Sequence, residues 1–367
     1  MDNRKKRWFS NLLLRMITNN KKNKNIWIFG AWKGNYKDNA KTLFEYCSIN
    51  CPEIKCYFFV NNKIDYDFIV ANNMNAVLIN SIEAKRISRV AGVCFYTNGL
   101  DDFGEKIYCY NSYKVSLWHG VGYKGIYLTD IRYKDSLLKK IYRLLFSYVA
   151  RNLTIATSKF IAEHFVKSFG LKKNSNIFIT GQPRNEILLK SKPSNRIISY
   201  LPTYRKNNKF NYVIQDFIDY FNTESGIDFL SNNNFIIKYK LHPLSKGINT
   251  KSNKFFMETK EDTQVLLCES NTVITDYSSV IMDFAITGRQ TIIFAPDYNE
   301  FMKNDGMIEE AKELYNLNTI SFNIEDLKLQ LINGDSLSPL INKIFNIDCD
   351  GNYSKKIVSY LRKAINI

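Results

Sequence analysis

No Cys-x-x-Cys pair occurs in this sequence, and its seven cysteines are scattered and odd in number. That argues against a disulfide framework or a zinc site and fits a reducing compartment. Long apolar runs are missing as well. Lys, Arg or Asn interrupts each one well short of the roughly 20 residues that cross a bilayer. Internal repeats and extended low-complexity tracts are absent, and only three histidines occur, His119, His164 and His242. Negative charge is in deficit: 35 Asp and Glu stand against 51 Lys and Arg, a formal net charge of +16. Such a balance favours an anionic partner, namely nucleic acid, an anionic membrane face or a phosphorylated substrate. No RNP, KH, helix-turn-helix or zinc signature supports the first of these.

What remains is globular, with 45% hydrophobic and 23% charged residues, and 367 residues suggest two domains. At the N-terminus Phe9, Leu12, Leu13, Met16 and Ile17 follow the spacing of one helical face. Residues 1–24 carry eight Lys or Arg against one Asp. The apolar part is short, broken by Arg15 and without a small-residue cleavage site, so it is not read as a signal peptide. A basic amphipathic helix edged by Trp8 suits an anionic membrane surface, and a helix docked on its own protein has the same pattern. Residues 136–151, SLLKKIYRLLFSYVAR, repeat the design and carry the same two readings.

Short apolar runs alternate with helical patterns, the rhythm of βαβ units. Strands are expected at 25–30, 55–60, 76–80, 93–98, 114–119, 153–157 and 176–181. After the linker KSKPSN (190–195) they resume at 196–202, 234–241, 272–275 and 291–296. Helices are expected at 209–221, 261–269 and 279–287, among others. The expected architecture is α/β, with two Rossmann-like halves facing a cleft. Its parts are the basic segment 1–24, an N-terminal half 25–189, a C-terminal half 190–350 and a C-terminal helix 351–367. Open α/β sheets bind ligands at strand C-termini.

Several motifs fall at those ends. SLWHGVGYKG (116–125) matches Gly-x-Gly-x-x-Gly, but it lies mid-chain and lacks the acidic residue that a dinucleotide site places about 20 positions on. His119, at a strand end beside glycines, has the pKa and access of an acid/base group; a loop histidine held by hydrogen bonds is the plainer reading. His242 repeats the placement in KYKLHPL, whereas His164 sits inside a helical pattern and reads as structural. YLPTYR places Thr203 and Arg205 at a strand exit, and a guanidinium fork suits phosphate. TVITDYSSVIMD supplies Thr275 and Asp276 at a strand exit, then Ser278 and Ser279 where a helix begins. One such residue caps a helix. Four in five positions favour a phosphate bound by hydroxyls and helix N–H groups, with a polar turn as the alternative. Asp101-Asp102 is an isolated acidic pair that marks a turn. No metal-binding constellation stands out.

Taken in order, Gly34-x-Tyr36-x-Asp38-Asn39-x-Lys41, WHG, GQPRNE, LPTYR, LHP and TDYSSVIMD resemble the CDP-glycerol glycerophosphotransferases, the teichoic-acid primases and polymerases. The resemblance covers residues 28–300. It implies two Rossmann-like domains of the GT-B type at the cytoplasmic face of the membrane, peripherally attached. It implies transfer of a polyol phosphate from CDP-glycerol or CDP-ribitol to a lipid-linked or polymer acceptor, with release of CMP. The chain departs from the family after WHG, where threonine-proline is often found, and after TIIFAPDYNEF, where an RGFY-like stretch is common. Those departures bear on the polyol and the acceptor. The chain length leans towards a short-product transferase.

On that basis His119 is the expected general base. His242, Arg205, Ser278 and Ser279 would hold the pyrophosphate and stabilise leaving CMP, and Thr203, Thr275 and Asp276 would build the CDP pocket. No metal, no cofactor and no nucleic-acid partner is expected. The alternatives are a nucleotide-sugar glycosyltransferase or epimerase of the same architecture and, more distantly, a nucleic-acid-binding protein.

Overall fold

A computed structural model describes residues 21–104, 109, 111–121, 125–129, 151–171, 176–205, 211–304, 314–315, 320–346 and 349–366. The amphipathic stripe Phe9–Ile17 and nearly all of the second basic stretch, 136–151, lie outside them.

Parallel strands buried on both faces need apolar side chains in both directions, and KCYFFV and AGVCFY are such runs. Seven strands form the first sheet: β1 (Asn23–Gly30), β2 (Lys55–Val60), β3 (Ala76–Leu78), β4 (Ala91–Tyr96), β5 (Tyr113–Ser116), β6 (Leu153–Ala156) and β7 (Ile177–Ile179). Their order is β3-β2-β1-β4-β5-β6-β7, and every pairing is parallel. The second sheet holds β8 (Ser194–Leu201), β9 (Ile236–Tyr239), β10 (Phe256–Glu258), β11 (Ser270–Thr275) and β12 (Gln290–Ile293), in the order β10-β9-β8-β11-β12, again parallel. Each half is thus a doubly wound α/β unit with its first strand near the centre.

Most expected strands are present within a few residues. The expected strand 114–119 stops at Ser116, which leaves His119 in a loop beyond it. β10 was not expected: three residues with one buried side chain carry no readable period.

The C-terminal helix Tyr353–Ile365 returns to the first half. Ile357, Val358 and Leu361 are buried in the same core as Trp27, Phe29 and Phe44, and Tyr360 stacks on Phe178 at 4.5 Å. Burying each aliphatic side chain contributes roughly 1.5–3 kcal/mol. Gly181 makes room for this return, because a Cβ there would meet the Tyr353 ring at 2.2 Å. A second apolar cluster joins the halves: Ile161, Phe165 and Phe169 of the helix Lys159–Phe169 pack with Tyr277, Ile281 and Ile341. No helix among the described residues is long and apolar enough to cross a membrane.

Candidate active site

The loop after β5 is held in an uncommon backbone conformation. Trp118 has φ +56°, a region bulky side chains rarely adopt. Its ring is anchored by Phe169 at 4.9 Å and Phe165 at 5.8 Å, and its carbonyl accepts from Asn39 Nδ2 at 3.0 Å. Asn39 is fully buried near the start of the helix Asp38–Asn50. These contacts over-determine the peptide that carries His119.

The His119 ring lies tilted beside Trp118 at 4.3 Å, and its Nδ1 lies 3.2 Å from the Thr97 carbonyl. A carbonyl only accepts, so in the neutral ring Nδ1 carries the hydrogen and Nε2 keeps its lone pair. Desolvation by the surrounding protein lowers the pKa of His119, against the Thr97 bond and Asp38, which raise it. Thr97 is itself fixed: its N–H and that of Asn98 donate to Asp102 Oδ2 at 2.9 and 3.0 Å. Asp102 is buried in the turn Leu100–Phe103, and desolvation pushes its carboxyl up to about 6.

Facing this loop are the exits of β8, β9 and β11. A cavity of about 340 Å³ lies between the halves, and His119, Thr203, His242, Ser278 and Ser279 all line it. His242 Nδ1 accepts the Leu244 N–H at 3.1 Å, and the ring stacks on Tyr204 at 4.9 Å. An N–H only donates, so here Nδ1 holds the lone pair and Nε2 carries the hydrogen. The Thr203 hydroxyl is buried without a hydrogen-bond partner. Buried polar atoms are rarely left so, and a ligand oxygen would satisfy this one.

The serine turn departs from simple capping. The helix runs from Val280 to Ala285, and Ser279 at its N-cap makes no side-chain capping bond. Ser278 Oγ accepts weakly from Val280 N at 3.4 Å. Six residues give a weak helix dipole, so the hydroxyls and N–H groups of the turn are what could hold an anion here.

Three of the nominated residues lie behind the cavity wall. Arg205 Nε and Nη2 donate to Asp297 at 2.7 and 3.0 Å, and Nη1 donates to Asp276 Oδ2 at 2.7 Å and the Thr203 carbonyl at 2.6 Å. Burial opposes its charge, yet Asp276 and Asp297 outweigh that and hold its pKa above the usual value. The fork is filled, so in this arrangement it braces the loop. Asp276 also accepts the Thr203 N–H at 2.9 Å, and Thr275 Oγ1 donates to the Leu201 carbonyl at 2.6 Å. Together these contacts set the height of Thr203 and Tyr204 over the cavity.

Sequence reasoning assigned no role to Arg184, Asp38 or Asp283. Arg184 Nη1 donates to Asp38 Oδ1 at 2.8 Å and Nη2 to Asp283 Oδ2 at 2.6 Å. All three belong to quoted motifs, but nothing local shows that they meet. Among the described residues no group of three or more His, Cys, Asp or Glu is placed to hold a metal ion.

The chain has clear relatives. The sequence model of CDP-Glycerol:Poly(glycerophosphate) glycerophosphotransferase matches residues 12–361. A teichoic acid poly(glycerol phosphate) polymerase of Bacillus subtilis is 25% identical over 302 residues, which cover 75% of this chain and 39% of the relative. A teichoic acid ribitol-phosphate polymerase of Staphylococcus aureus is 24% identical over 297 residues, covering 71% of this chain and 50% of the relative. The chain therefore spans half or less of these two relatives. The solved structure of the wall teichoic acid polymerase TagF shares the fold, with a TM-score of 0.70 at 19% identity over 99% of this chain and 97% of that one.

Proposed function

Because the chain belongs to the CDP-glycerol:poly(glycerophosphate) glycerophosphotransferase family, we propose that it transfers a polyol phosphate from a CDP-polyol to an acceptor hydroxyl and releases CMP. Glycerol phosphate is the favoured group, with ribitol phosphate next, and the acceptor is a lipid-linked or polymeric chain in teichoic-acid-like or capsule synthesis. The observation that carries this reading is the pair of histidines on opposite walls of one cavity, one offering a lone pair and the other an N–H.

The chemistry follows from those two edges. His119 Nε2 takes the proton of the acceptor hydroxyl as its oxygen bonds to the phosphorus bearing the polyol. The bond from that phosphorus to the bridging oxygen breaks, and its electron pair leaves with CMP. His242 Nε2–H, the hydroxyls of Ser278 and Ser279 and the N–H groups of their turn donate to the phosphate oxygens as charge develops. The Thr203 hydroxyl completes the set. These donors stabilise the phosphate oxygens by hydrogen bonds from the chain itself, so turnover is expected to survive EDTA. A strict Mg²⁺ or Mn²⁺ requirement would overturn that part.

Attachment to the cytoplasmic face of the membrane belongs to the same proposal. It is supported by the basic amphipathic pattern of residues 1–24. Sedimentation with anionic but not neutral vesicles, weakened by salt and by deletion of residues 1–20, is the expected behaviour.

The deciding experiment incubates the protein with CDP-glycerol and CDP-ribitol, with and without a lipid acceptor, and measures CMP. Acceptor-dependent CMP release is expected. Absence of release, with UDP or GDP raising Tm more than CDP, would move the chain to the nucleotide-sugar enzymes.

A further inference from the structure

The geometry points to Arg184 as a positioning residue that fixes the spacing between the His119 loop and the serine turn; this rests on the transferase reading above. Arg184 lies at the start of the segment that leaves the first sheet, in the turn Pro183–Asn185. One arm of its guanidinium reaches Asp38 at 2.8 Å and the carbonyl of His119 at 3.3 Å. The other reaches Asp283 at 2.6 Å, on the helix that the serine turn opens. Its own N–H donates to Asn39 Oδ1 at 3.2 Å, and Asn39 in turn holds the Trp118 carbonyl. Asn185 Nδ2 secures the second oxygen of Asp283 at 2.8 Å.

The contact lies directly under the chemistry. A Cβ placed on Gly120 would be 3.2 Å from Ser279 Oγ and 3.3 Å from Arg184 Nη2, so guanidinium, glycine and serine are packed at one point. The side chain of Arg184 is 14% exposed, and those of Asp38 and Asp283 are 13% and 5% exposed. Water therefore competes little for these bonds. The apolar cluster beside them holds the halves together but is non-directional. A planar fork shared between two carboxylates fixes distance and angle, which a lysine ammonium, as a point charge, does not.

On this view the proposed phosphate donors of the second half keep their own geometry when the tie is lost, and only their alignment with His119 fails. The test uses the full chain with Arg184→Lys, Asp283→Asn, the double variant and Arg184→Gln. Arg184→Lys and Asp283→Asn should each lower kcat for CMP release about tenfold or more. CDP affinity by calorimetry should change by less than about threefold, since the proposed CDP donors all belong to the second half. The double variant should lose no more than the worse single one, because the two residues act as a unit. Asp38 and Arg184 are the charged groups whose fields reach the His119 ring. Removing the positive charge in Arg184→Gln should therefore move the acidic limb of kcat/KM to higher pH, while Arg184→Lys leaves it in place. Parallel loss of CDP affinity, or additive losses with an unmoved limb, would make Arg184 a general brace and overturn the inference. Amide exchange supplies a readout that needs no turnover. Arg184→Lys should speed exchange at 117–121 and 277–280 and leave the strands β1 and β8 unchanged. Unaltered exchange at both loops would sink the inference even if CMP is released. Faster exchange there in a protein that releases no CMP would sustain the tie and reject the transferase reading instead.

Discussion

His119 and His242 line one cavity in opposite tautomers: Nδ1 of the first faces a carbonyl at 3.2 Å, and Nδ1 of the second accepts an N–H at 3.1 Å. In their neutral forms this leaves a lone pair on Nε2 of His119 and a hydrogen on Nε2 of His242. Two identical side chains thus receive distinct tautomers from the backbone groups behind them.

The first prediction concerns acid. A base must be neutral to act, and desolvation favours the neutral ring, which lowers the pKa of His119 from 6.5. The acidic limb of kcat/KM should therefore have its midpoint below pH 6.5, with a plateau through neutrality. His119→Ala should reduce CMP release by about 10²–10⁴-fold and leave CDP affinity near that of the parent. A variant that turns over normally at saturation would remove His119 as the base.

The serine turn makes a separate prediction. Replacing both Ser278 and Ser279 by Ala should weaken CDP-polyol binding by about 1–3 kcal/mol. Ser279 makes no capping bond to lose, so stability should change little. Calorimetric titration and thermal melts together decide: unchanged affinity with a lower Tm would return the turn to a capping role.

Gly120 tests the closeness of the two walls. Its φ of +145° and the contacts an added Cβ would make, 3.2 Å to Ser279 Oγ and 3.3 Å to Arg184 Nη2, leave no comfortable place for alanine. Gly120→Ala should cost on the order of 1–3 kcal/mol in denaturant unfolding and lower kcat by shifting the loop. Wild-type turnover and stability would show that the walls have room to separate.

Asp102 gives a stability prediction with a defined sign. Its pKa is 3.8 in the reference state and about 6 in the fold, with desolvation the largest cause. The folded protein therefore binds more protons between those values, and this group's contribution to stability falls as pH rises from about 4 to 6. The shift corresponds to about 3 kcal/mol across that window. Asp102→Asn, which does not titrate, should remove that slope from the pH dependence of unfolding. An identical slope in the variant would assign it to other carboxyls.

Much of this was legible in the chain. Doubly buried parallel strands write themselves as unbroken apolar runs, so β2 was readable to the residue and β1, β4 and β11 with ends displaced by no more than two. His119, Thr203, His242, Ser278 and Ser279 were readable as strand exits because polar residues interrupt those runs, and the fold brings all five to one cavity. β5 was overextended, since Leu117 and Trp118 are apolar and buried without being strand. Trp118 packs against the helix Lys159–Phe169 and Leu117 joins the core of the first sheet, and no local pattern around them reveals either.

Arg205 shows where local reading stops. A strand-exit arginine has the chemistry of a phosphate fork, but Asp276 and Asp297, 71 and 92 residues away, fill it. Arg184 is the converse case. It drew no attention as one residue of GQPRNE, yet it bridges Asp38 and Asp283, 146 and 99 residues distant. By itself the sequence determined the two parallel sheets, the polar strand exits and the order of motifs, because burial periodicity and turn chemistry act over a few residues. Only the tertiary structure decided which carboxylates the two arginines meet and which tautomer each histidine takes. Those depend on directional contacts between distant segments, whose partners exist only once both sheets are packed.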